Sequence, residues 1–308
     1  MVMSFTLASC SEYADVDHKN LPDADSLSTG TSSLNFLILS DWGFNGSGSQ
    51  KKVASAMGVF ADKARPRFIL TCGDNFQIDG VQSVSDPRWK LNYENVYTDS
   101  SLLIPWYPAL GNHDYLGNPD AQVEYTLESK YWRMPARYYS FVKQVNSTAS
   151  VRFIVLDTQD LITQFQNRDT ALNLEAITQY RWLKNLLAGA HEKWIIVTGH
   201  HPVFSASAVH GDTEELKVLL KPLLQKYNVD FYICGHDHNF EHAREQGSST
   251  DYVITGTGGW ARPEGTNERT IFAMSELGFT YVSLSADSAN LYFITADRKV
   301  GYSYFKTK

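Results

Sequence analysis

The sequence of 308 residues has few cysteines, no long hydrophobic run and no excess of positive charge. Its three cysteines are too few for a disulfide-rich scaffold or a cysteine-based zinc finger. No apolar run approaches the ~20 residues that a membrane-spanning helix needs, which excludes an integral membrane protein built on such helices. With 27 Lys and Arg against 34 Asp and Glu, the formal charge of −7 argues against non-specific nucleic-acid binding, which requires a basic surface.

The composition is that of a folded globular protein. Hydrophobic residues make up 43% of the chain and aromatic residues 13%, which is typical of a thick, β-rich core. The length suits one large domain or two small ones.

The first 33 residues differ from the rest and are predicted to form a flexible leader. The stretch from Asp15 to Ser33 is polar and has no apolar period. Before it, Leu7-Ala8-Ser9-Cys10 resembles a bacterial lipobox, in which the cysteine carries a lipid after signal cleavage. No Lys or Arg precedes this tetrapeptide, so a chance match is the alternative. If the lipobox is real, Cys10 is a lipid anchor and the protein works outside the cytoplasm.

From Leu34 onward, short apolar runs alternate with amphipathic helical patterns. Strands are predicted at 34–40, 67–72, 104–110, 151–156, 194–197 and 231–234, and helices at 50–64, 172–187 and 213–227. From Tyr252 onward the pattern changes to successive predicted strands, at 252–255, 279–285, 289–295 and 302–305. This order predicts an α/β protein in which helices cover β-sheets.

Five of the predicted strands are followed at once by metal-ligating side chains. These are Asp41, Asp74, Asn112 with His113, His200, and His236 with His238. In open α/β sheets, ligands bind beyond the carboxyl ends of the strands. Mixed Asp, Asn and His donors suit Fe, Mn or Zn, and so many donors predict a pair of ions.

The motifs around these residues resemble those of the calcineurin-like metallophosphoesterases. Within that family the likeness is strongest to the small, mammalian-type purple acid phosphatases, also called tartrate-resistant acid phosphatases. It is carried by GDNFQIDGV, IPWYPALGNHDYLGN, GHHPVFSASAVHG and CGHDHNF. The resemblance implies a four-layer α/β/β/α sandwich and a single catalytic domain over residues 34–308.

The resemblance also implies roles for individual residues. Asp41, Asp74 and His238 would hold one ion, and Asp74, Asn112, His200 and His236 the other, so that Asp74 bridges them. His113 and His210 would contact the phosphate and assist the leaving group as catalytic residues. His201, Asp114 and Asp237 are expected in the surrounding shell, where carboxylates orient histidines.

One position departs from the family pattern. Purple acid phosphatases have a tyrosine three residues after the bridging aspartate, and this chain has Gln77 there. A glutamine amide is a poor ligand for a trivalent ion, so Gln77 is expected to be at most a weak metal ligand. The two ions are therefore expected to be Fe with Fe, Zn or Mn. Fe(III) is disfavoured at the first position, that of the ion assigned to Asp41, Asp74 and His238.

The predicted activity is hydrolysis of small phosphate monoesters by in-line attack of a metal-held hydroxide. The same centre could serve a phosphodiesterase or a nucleotide pyrophosphatase, because the walls of a site choose the substrate. Wall candidates are Trp42, Phe44, Asn45 and Phe204, with the loop from Gly256 to Trp260. A third hypothesis is a catalytically weak, membrane-tethered scaffold, since some family members act as structural anchors. The sequence does not predict an oligomeric state.

Overall fold

Two mixed β-sheets pack face to face, and helices cover their outer surfaces. The structure is a computed structural model that describes residues 21–27, 33–166 and 174–308. In these residues the strands are β1 (Leu34–Leu39), β2 (Ile69–Cys72), β3 (Trp106–Ala109), β4 (Tyr139–Gln144), β5 (Ser150–Val155), β6 (Trp194–Thr198), β7 (Phe231–Cys234), β8 (Phe240–Ala243), β9 (Asp251–Thr255), β10 (Thr270–Met274), β11 (Gly278–Leu284), β12 (Ser288–Thr295) and β13 (Val300–Thr307). The α-helices are α1 (Gly48–Ala64), α2 (Pro119–Glu128), α3 (Thr158–Gln166), α4 (Leu174–Ala188), α5 (Glu214–Leu219) and α6 (Lys221–Lys226).

The first sheet has the strand order β13-β12-β11-β1-β2-β3, and the second has the order β10-β8-β9-β7-β6-β5-β4. β1, β2 and β3 run parallel, as do β5, β6, β7 and β9. The ligand-bearing loops all follow strands of these two parallel sets, so they leave the sheets at carboxyl ends. This topology brings them to one edge of the molecule.

The inner faces of the sheets share one aromatic core. Phe36 of β1 lies with its ring centre 5.2 Å from that of Phe153 in β5, and Phe68 lies at the same distance from Phe153. Helix α1 covers the outer face of the first sheet, where Phe60 packs 5.0 Å from Tyr281. Helices α3 to α6 cover the second sheet through a separate cluster of buried, mainly aliphatic residues. The predicted four-layer α/β/β/α sandwich is therefore confirmed.

A buried ion network ties the last strand of the first sheet to the second sheet. Asp251 of β9 is fully buried. Its carboxylate accepts hydrogen bonds from His242 Nε2 (2.9 Å), Arg244 Nε (2.7 Å) and Lys306 Nζ (2.9 Å). Burial by itself raises the pKa of Asp251, but the hydrogen bonds and charges of His242 and Lys306 lower it to about 2. This carboxylate is thus fully compensated by the protein itself.

Part of the predicted leader is described and lies against the domain. Ala24 is fully buried, and its N–H donates to the carbonyl of Arg298 at 2.8 Å. The N–H of Val300 donates to the carbonyl of Pro22 at 2.8 Å. The domain boundary at residue 33 stays a prediction, and Cys10 lies outside the described residues.

Several elements differ from the sequence-based assignment. The helix predicted over 213–227 is broken at Leu220 into α5 and α6, because Pro222 has no N–H to continue the ladder. Strands β4, β8 and β10 and helices α2 and α3 were not predicted. Among the described residues, no helix combines the length and the apolar character needed to cross a membrane.

Candidate metal centre

The side chains predicted as metal ligands converge at the carboxyl ends of β1, β2, β3, β6 and β7. Asp41, Asp74 and His200 are fully or almost fully buried and offer donor atoms within 4.8 Å of one another. The Nε2 atom of His238 lies 3.4 Å from Asp41 Oδ1. The structure therefore brings together donors that are up to 197 residues apart in the chain, from Asp41 to His238.

A second group of donors surrounds Asn112. Its Oδ1 atom lies 3.0 Å from His200 Nε2 and 3.0 Å from His236 Nδ1, and these two ring nitrogens are 3.2 Å apart. Asp74 lies between the two groups, with Oδ2 at 3.4 Å from His200 Nε2. This is the arrangement expected for a carboxylate that serves both groups.

The backbone at three of these residues is in the left-handed region. Asp41, Asp74 and His236 have φ of 55°, 48° and 70°. Non-glycine residues rarely adopt this conformation, which costs of order 1–3 kcal/mol at each position. Each of these residues lies two residues after the end of its strand, so the strained backbone coincides with positions that carry donor side chains.

The glycines of the motifs make room for these turns. A Cβ atom on Gly111 would lie 2.1 Å from Asp74 Oδ1, and one on Gly235 would lie 2.2 Å from Asp41 Oδ2. Neither contact is sterically possible. Glycine is therefore required where the loops cross the two carboxylates.

The electrostatics of the centre call for a bound cation. Burial raises the pKa of Asp41 to about 8, and the neighbouring charge of Asp74 adds to this effect. Burial lowers the pKa of His200, but Asp74 and Asp41 outweigh it and raise that pKa to about 9. The buried carboxylates thus draw positive charge to this point, and a metal ion there would satisfy the same demand.

The other donors fit a metal as well. Burial lowers the pKa of His236 well below its ordinary range and that of His238 to about 3, so both imidazoles are neutral, the form that binds metals. Asp41 Oδ1 and His238 Nδ1 are buried and have no hydrogen-bond partner among the described residues. Unpaired buried polar atoms of this kind are rare unless a ligand completes them. The residues present fit a metal centre with oxygen and imidazole ligands.

The two predicted catalytic histidines lie at the open side of the centre. The side chain of His113 is 35% exposed, and its Nε2 lies 4.0 Å from Asp74 Oδ2. Its backbone N–H donates to Asp74 Oδ1 at 2.9 Å. His210 is exposed, and its ring centre is 4.1 Å from that of His236. Both imidazoles are therefore within reach of solvent and of the ligand group.

The residues predicted around the ligands make contacts of a different kind. His201 is buried beside His236, with ring centres 4.5 Å apart, and its Nδ1 lies 2.9 Å from Thr158 Oγ1. Asp114 accepts the backbone N–H groups of Gly111 and Phe76, at 2.8 and 3.0 Å. It therefore joins the loops after β2 and β3 and does not orient a histidine.

Asp237 and Gln77 lie close to the ligands in the sequence and are buried. Asp237 accepts the hydroxyl of Ser205 at 2.6 Å, so its described partner is a serine and not the expected histidine. Gln77 is 6% exposed, and its Oε1 atom has no hydrogen-bond partner among the described residues. That free amide oxygen is consistent with a weak ligand or with a contact to bound water.

Two of the four wall candidates lie in the core. Trp42 is fully buried and donates its indole N–H to Asn75 Oδ1 at 3.1 Å. Phe204 is 3% exposed and packs 4.8 Å from Tyr252. These residues have no surface to offer a substrate, which corrects that expectation. Phe44 lies 6.2 Å from His238 by ring centres, and Asn45 is an exposed residue whose amide pairs with Asn92.

Some residues that shape the centre were not singled out in the sequence. Asn75 donates to the carbonyl of Ala109 at 2.7 Å and accepts from Thr71 Oγ1 at 2.7 Å, which joins β2 to β3. Its position inside the GDN motif was a usable signal. Thr158 and Arg262 contact His201 and His238, but they belong to no recognised motif.

Comparison with known proteins agrees with this geometry. The sequence profile described as calcineurin-like phosphoesterase matches residues 34–240. Tartrate-resistant acid phosphatase type 5 of Oryctolagus cuniculus is 36% identical over 305 residues, which cover 90% of this chain and 91% of that protein. Purple acid phosphatase 4 of Arabidopsis thaliana is 31% identical over 300 residues, covering 92% and 84% of the two chains.

A solved structure gives the same result for the fold. The protein described as "GAP50 the anchor in the inner membrane complex of Plasmodium" superposes with a TM-score of 0.79, at 28% sequence identity over 88% of each chain. The chain belongs to the calcineurin-like phosphoesterases and, within them, to the purple acid phosphatases. It is a dinuclear metallophosphatase, that is, a phosphoric monoester hydrolase of the acid phosphatase type.

Proposed function

We propose that the chain hydrolyses small phosphate monoesters by in-line displacement at the centre built around Asp74. The observation that carries this proposal is a cluster of donors next to two accessible histidines. Buried Asp41, Asp74 and His200 lie together, and the half-buried Asn112 and His236 contact His200. A centre of buried ligands with protonatable groups at its open side is suited to phosphate transfer to water.

In this proposal Asp41, Asp74 and His238 hold one ion. Asp74, Asn112, His200 and His236 hold the other. The grouping is supported by the 3.4 Å contact of His238 with Asp41 and by the 3.0–3.2 Å contacts among Asn112, His200 and His236. When bound, a pair of ions supplies Lewis-acid charge and an activated water at neutral pH.

The protein's own groups do the rest of the proposed chemistry. The backbone N–H of His113 fixes the Asp74 carboxylate, and its half-exposed imidazole lies where it can hydrogen-bond a phosphoryl oxygen. His210, whose ring centre lies 4.1 Å from that of His236, would give a proton to the departing alkoxide. The leaving group then departs into solvent, to which both histidines are open.

The proposal is tested by metal content and turnover on one sample. Elemental mass spectrometry of purified protein is expected to find two ions per chain. The same sample is expected to hydrolyse p-nitrophenyl phosphate, with bis(p-nitrophenyl) phosphate turned over more slowly. Faster turnover of the diester would favour the phosphodiesterase alternative.

Gln77 is expected to change the metal chemistry relative to purple acid phosphatases. Without a tyrosinate ligand, the first ion is proposed to be divalent and not Fe(III), and the iron-loaded protein is proposed to lack the purple charge-transfer band. The support is the buried, unpartnered amide oxygen of Gln77. Visible absorption of iron-loaded wild type and of Gln77→Tyr tests this, and a strong visible band in the wild type would contradict it.

A scaffold function is the second candidate. It is favoured by the similarity to the Plasmodium protein, whose printed description is an anchor. One ion or none per chain, with no turnover after reloading with Fe, Mn or Zn, would support the scaffold and overturn the phosphatase. We also propose that the chain works outside the cytoplasm. Comparing the membrane fraction of wild type and Cys10→Ser tests whether a lipid at Cys10 tethers it.

A further inference from the structure

The proposed mechanism leaves one feature at the rim of the metal centre without a role. Trp260 and Arg262 follow β9 and lie beside His238. His210, in contrast, lies beside His236. The pair formed by Trp260 and Arg262 is called the rim pair below.

Trp260 is unusual in its exposure. It is 51% exposed, whereas five of the other tryptophans in the described residues are 2% exposed or less. Its ring lies nearly perpendicular to the rings of His238 and Phe44, with centres 5.8 and 6.3 Å apart. A large aromatic surface held open to solvent next to metal ligands is more consistent with a substrate contact than with packing.

The loop that carries Trp260 packs closely against its neighbours. A Cβ atom on Gly259 would lie 2.1 Å from the Phe44 ring, and one on Gly258 would lie 2.5 Å from the carbonyl oxygen of Ser40. The backbone of the loop therefore packs closely against the turn that holds Asp41. This close packing fixes the position of the rim pair relative to the centre.

Arg262 is held at the same place by two contacts. Its backbone N–H donates to the carbonyl of His238 at 2.7 Å, and its guanidinium carbon lies 4.7 Å from the centre of the Trp260 ring. No carboxylate among the described residues forms an ion pair with it. Arg269, in contrast, pairs with Asp212 at 3.0 Å. Arg262 is thus a half-buried cation that no carboxylate in residues 21–27, 33–166 or 174–308 neutralises through an ion pair.

We propose that the rim pair selects substrates whose leaving group carries a second negative charge near the scissile phosphate. Guanidinium groups bind carboxylates and phosphates through charge-assisted hydrogen bonds, and stacking on an aromatic ring preorganises them for it. An anionic leaving group that extends past His238 would meet Arg262, with Trp260 beneath it. This inference rests on the proposed phosphatase activity and names the class of substrate for that activity.

The kinetic test uses metal-loaded protein and matched substrates. Wild type and Arg262→Gln are assayed on phenyl phosphate, 4-carboxyphenyl phosphate and pyrophosphate. We expect the variant to lose about tenfold in kcat/KM on the two substrates with a second charge, as for loss of one charge-assisted hydrogen bond, and less than twofold on phenyl phosphate. Equal losses on all three substrates, or no loss on any, would overturn the proposal.

Control variants separate recognition from general effects. Arg67→Gln removes the same charge from an exposed position before β2, at the end of that strand remote from Asp74, and should leave all three values unchanged. Arg262→Lys keeps the charge but loses the planar group and should give an intermediate loss. Trp260→Ala should lower the preference for the second charge, because Arg262 then loses its support.

A binding measurement makes the test independent of turnover. Calorimetry should show that metal-loaded wild type prefers methylenediphosphonate to methylphosphonate, and that Arg262→Gln removes the preference. If the wild type binds with this preference but turns over no ester, the phosphatase proposal fails and the rim pair still recognises a second charge. If phenyl phosphate is hydrolysed and the variant keeps the preference, the rim-pair proposal alone fails.

Discussion

Two groups of buried aspartates in this protein are compensated in opposite ways. Asp251 accepts a hydrogen bond from His242 and forms ion pairs with Arg244 and Lys306, and its pKa falls to about 2. Asp41 is just as buried, but its Oδ1 atom has no hydrogen-bond partner in the part of the chain that the structure describes, and burial raises its pKa to about 8. The charge of Asp251 is compensated by side chains of the protein, whereas the charge of Asp41 is compensated only when a cation is bound.

The difference separates a structural charge from a functional one. Both groups cost desolvation energy, but at Asp251 the protein supplies the opposite charges that join the two sheets. At the metal centre the protein does not offset the desolvation energy of the carboxylates, and bound ions and substrate would do so. Perturbed carboxylates in clefts are functional candidates for this reason. Single substitutions at Asp251 or at the metal centre test this difference.

The largest effect is expected from Asp74→Ala. In the proposed assignment this side chain serves both groups of donors, so its removal should empty both positions and reduce turnover at least about 10³-fold. Elemental mass spectrometry and p-nitrophenyl phosphate assays on the same sample measure this, with exposed Asp287→Ala as the matched control. Retention of two ions by Asp74→Ala would refute the bridging assignment.

Asp251→Asn should act on stability and leave the metals in place. The substitution leaves Lys306 and Arg244 without their buried counter-charge, which costs about 3–5 kcal/mol of unfolding free energy. Chemical denaturation measures the loss, and metal content should stay at two ions per chain. A variant that unfolds normally but loses its ions would mean that the two groups are not independent.

His113→Ala should reduce turnover, whereas Asp251→Asn should reduce stability; both variants should keep their metal ions. The imidazole lies beside the ligands and is not among them, so both ions should remain while kcat falls about 10²–10³-fold. The measurement is kcat with metal content determined on the same preparation. An unchanged kcat would remove His113 from the proposed chemistry.

The smallest effect concerns pH. The pKa of Asp251 lies at about 2 in the folded state against an ordinary 3.8, which corresponds to about 2 kcal/mol of stability. Because the folded pKa is the lower one, this stabilisation is present above pH 3.8 and is lost as the pH falls through about 2. The stability difference between wild type and Asp251→Asn should therefore narrow by about that amount between pH 5 and pH 2. A difference that stays constant would contradict the assignment.

The convergence of the candidate ligands was predictable because each of them lies within four residues of the end of a strand. Asp41, Asp74, His200 and His238 stand at the ends of apolar runs, and parallel strands bring such ends to one edge. Burial of the aromatic neighbours was not predictable in this way. The sequence around Trp42, next to Asp41, is equally compatible with a residue that contacts substrate and with a core residue. The packing of Tyr97 and Trp106 around its ring shows that it belongs to the core.

The elements that sequence patterns missed are short or lack a clear period. Strand β8 has the sequence FEHA, in which Glu241 and His242 are both buried because Thr270 and Asp251 satisfy them. Thr270 lies 29 residues from Glu241, and Lys306 lies 55 residues from Asp251, so no local pattern shows these partners. His242 and Arg244 are nearer to Asp251 in the chain, but only the pairing of β8 with β9 brings them to it.

The left-handed turns at Asp41, Asp74 and His236 have a consequence for directed evolution. Each holds a residue with a Cβ atom in a conformation that glycine adopts at little cost, so Asp41→Gly relieves local strain of order 1–3 kcal/mol. A library screened for heat resistance in a chelating buffer would therefore enrich glycine at these positions, and the enriched variants would lose the candidate ligands and their activity. Screening in the presence of the metals would preserve it, because the binding energy of the ions then favours the strained turns.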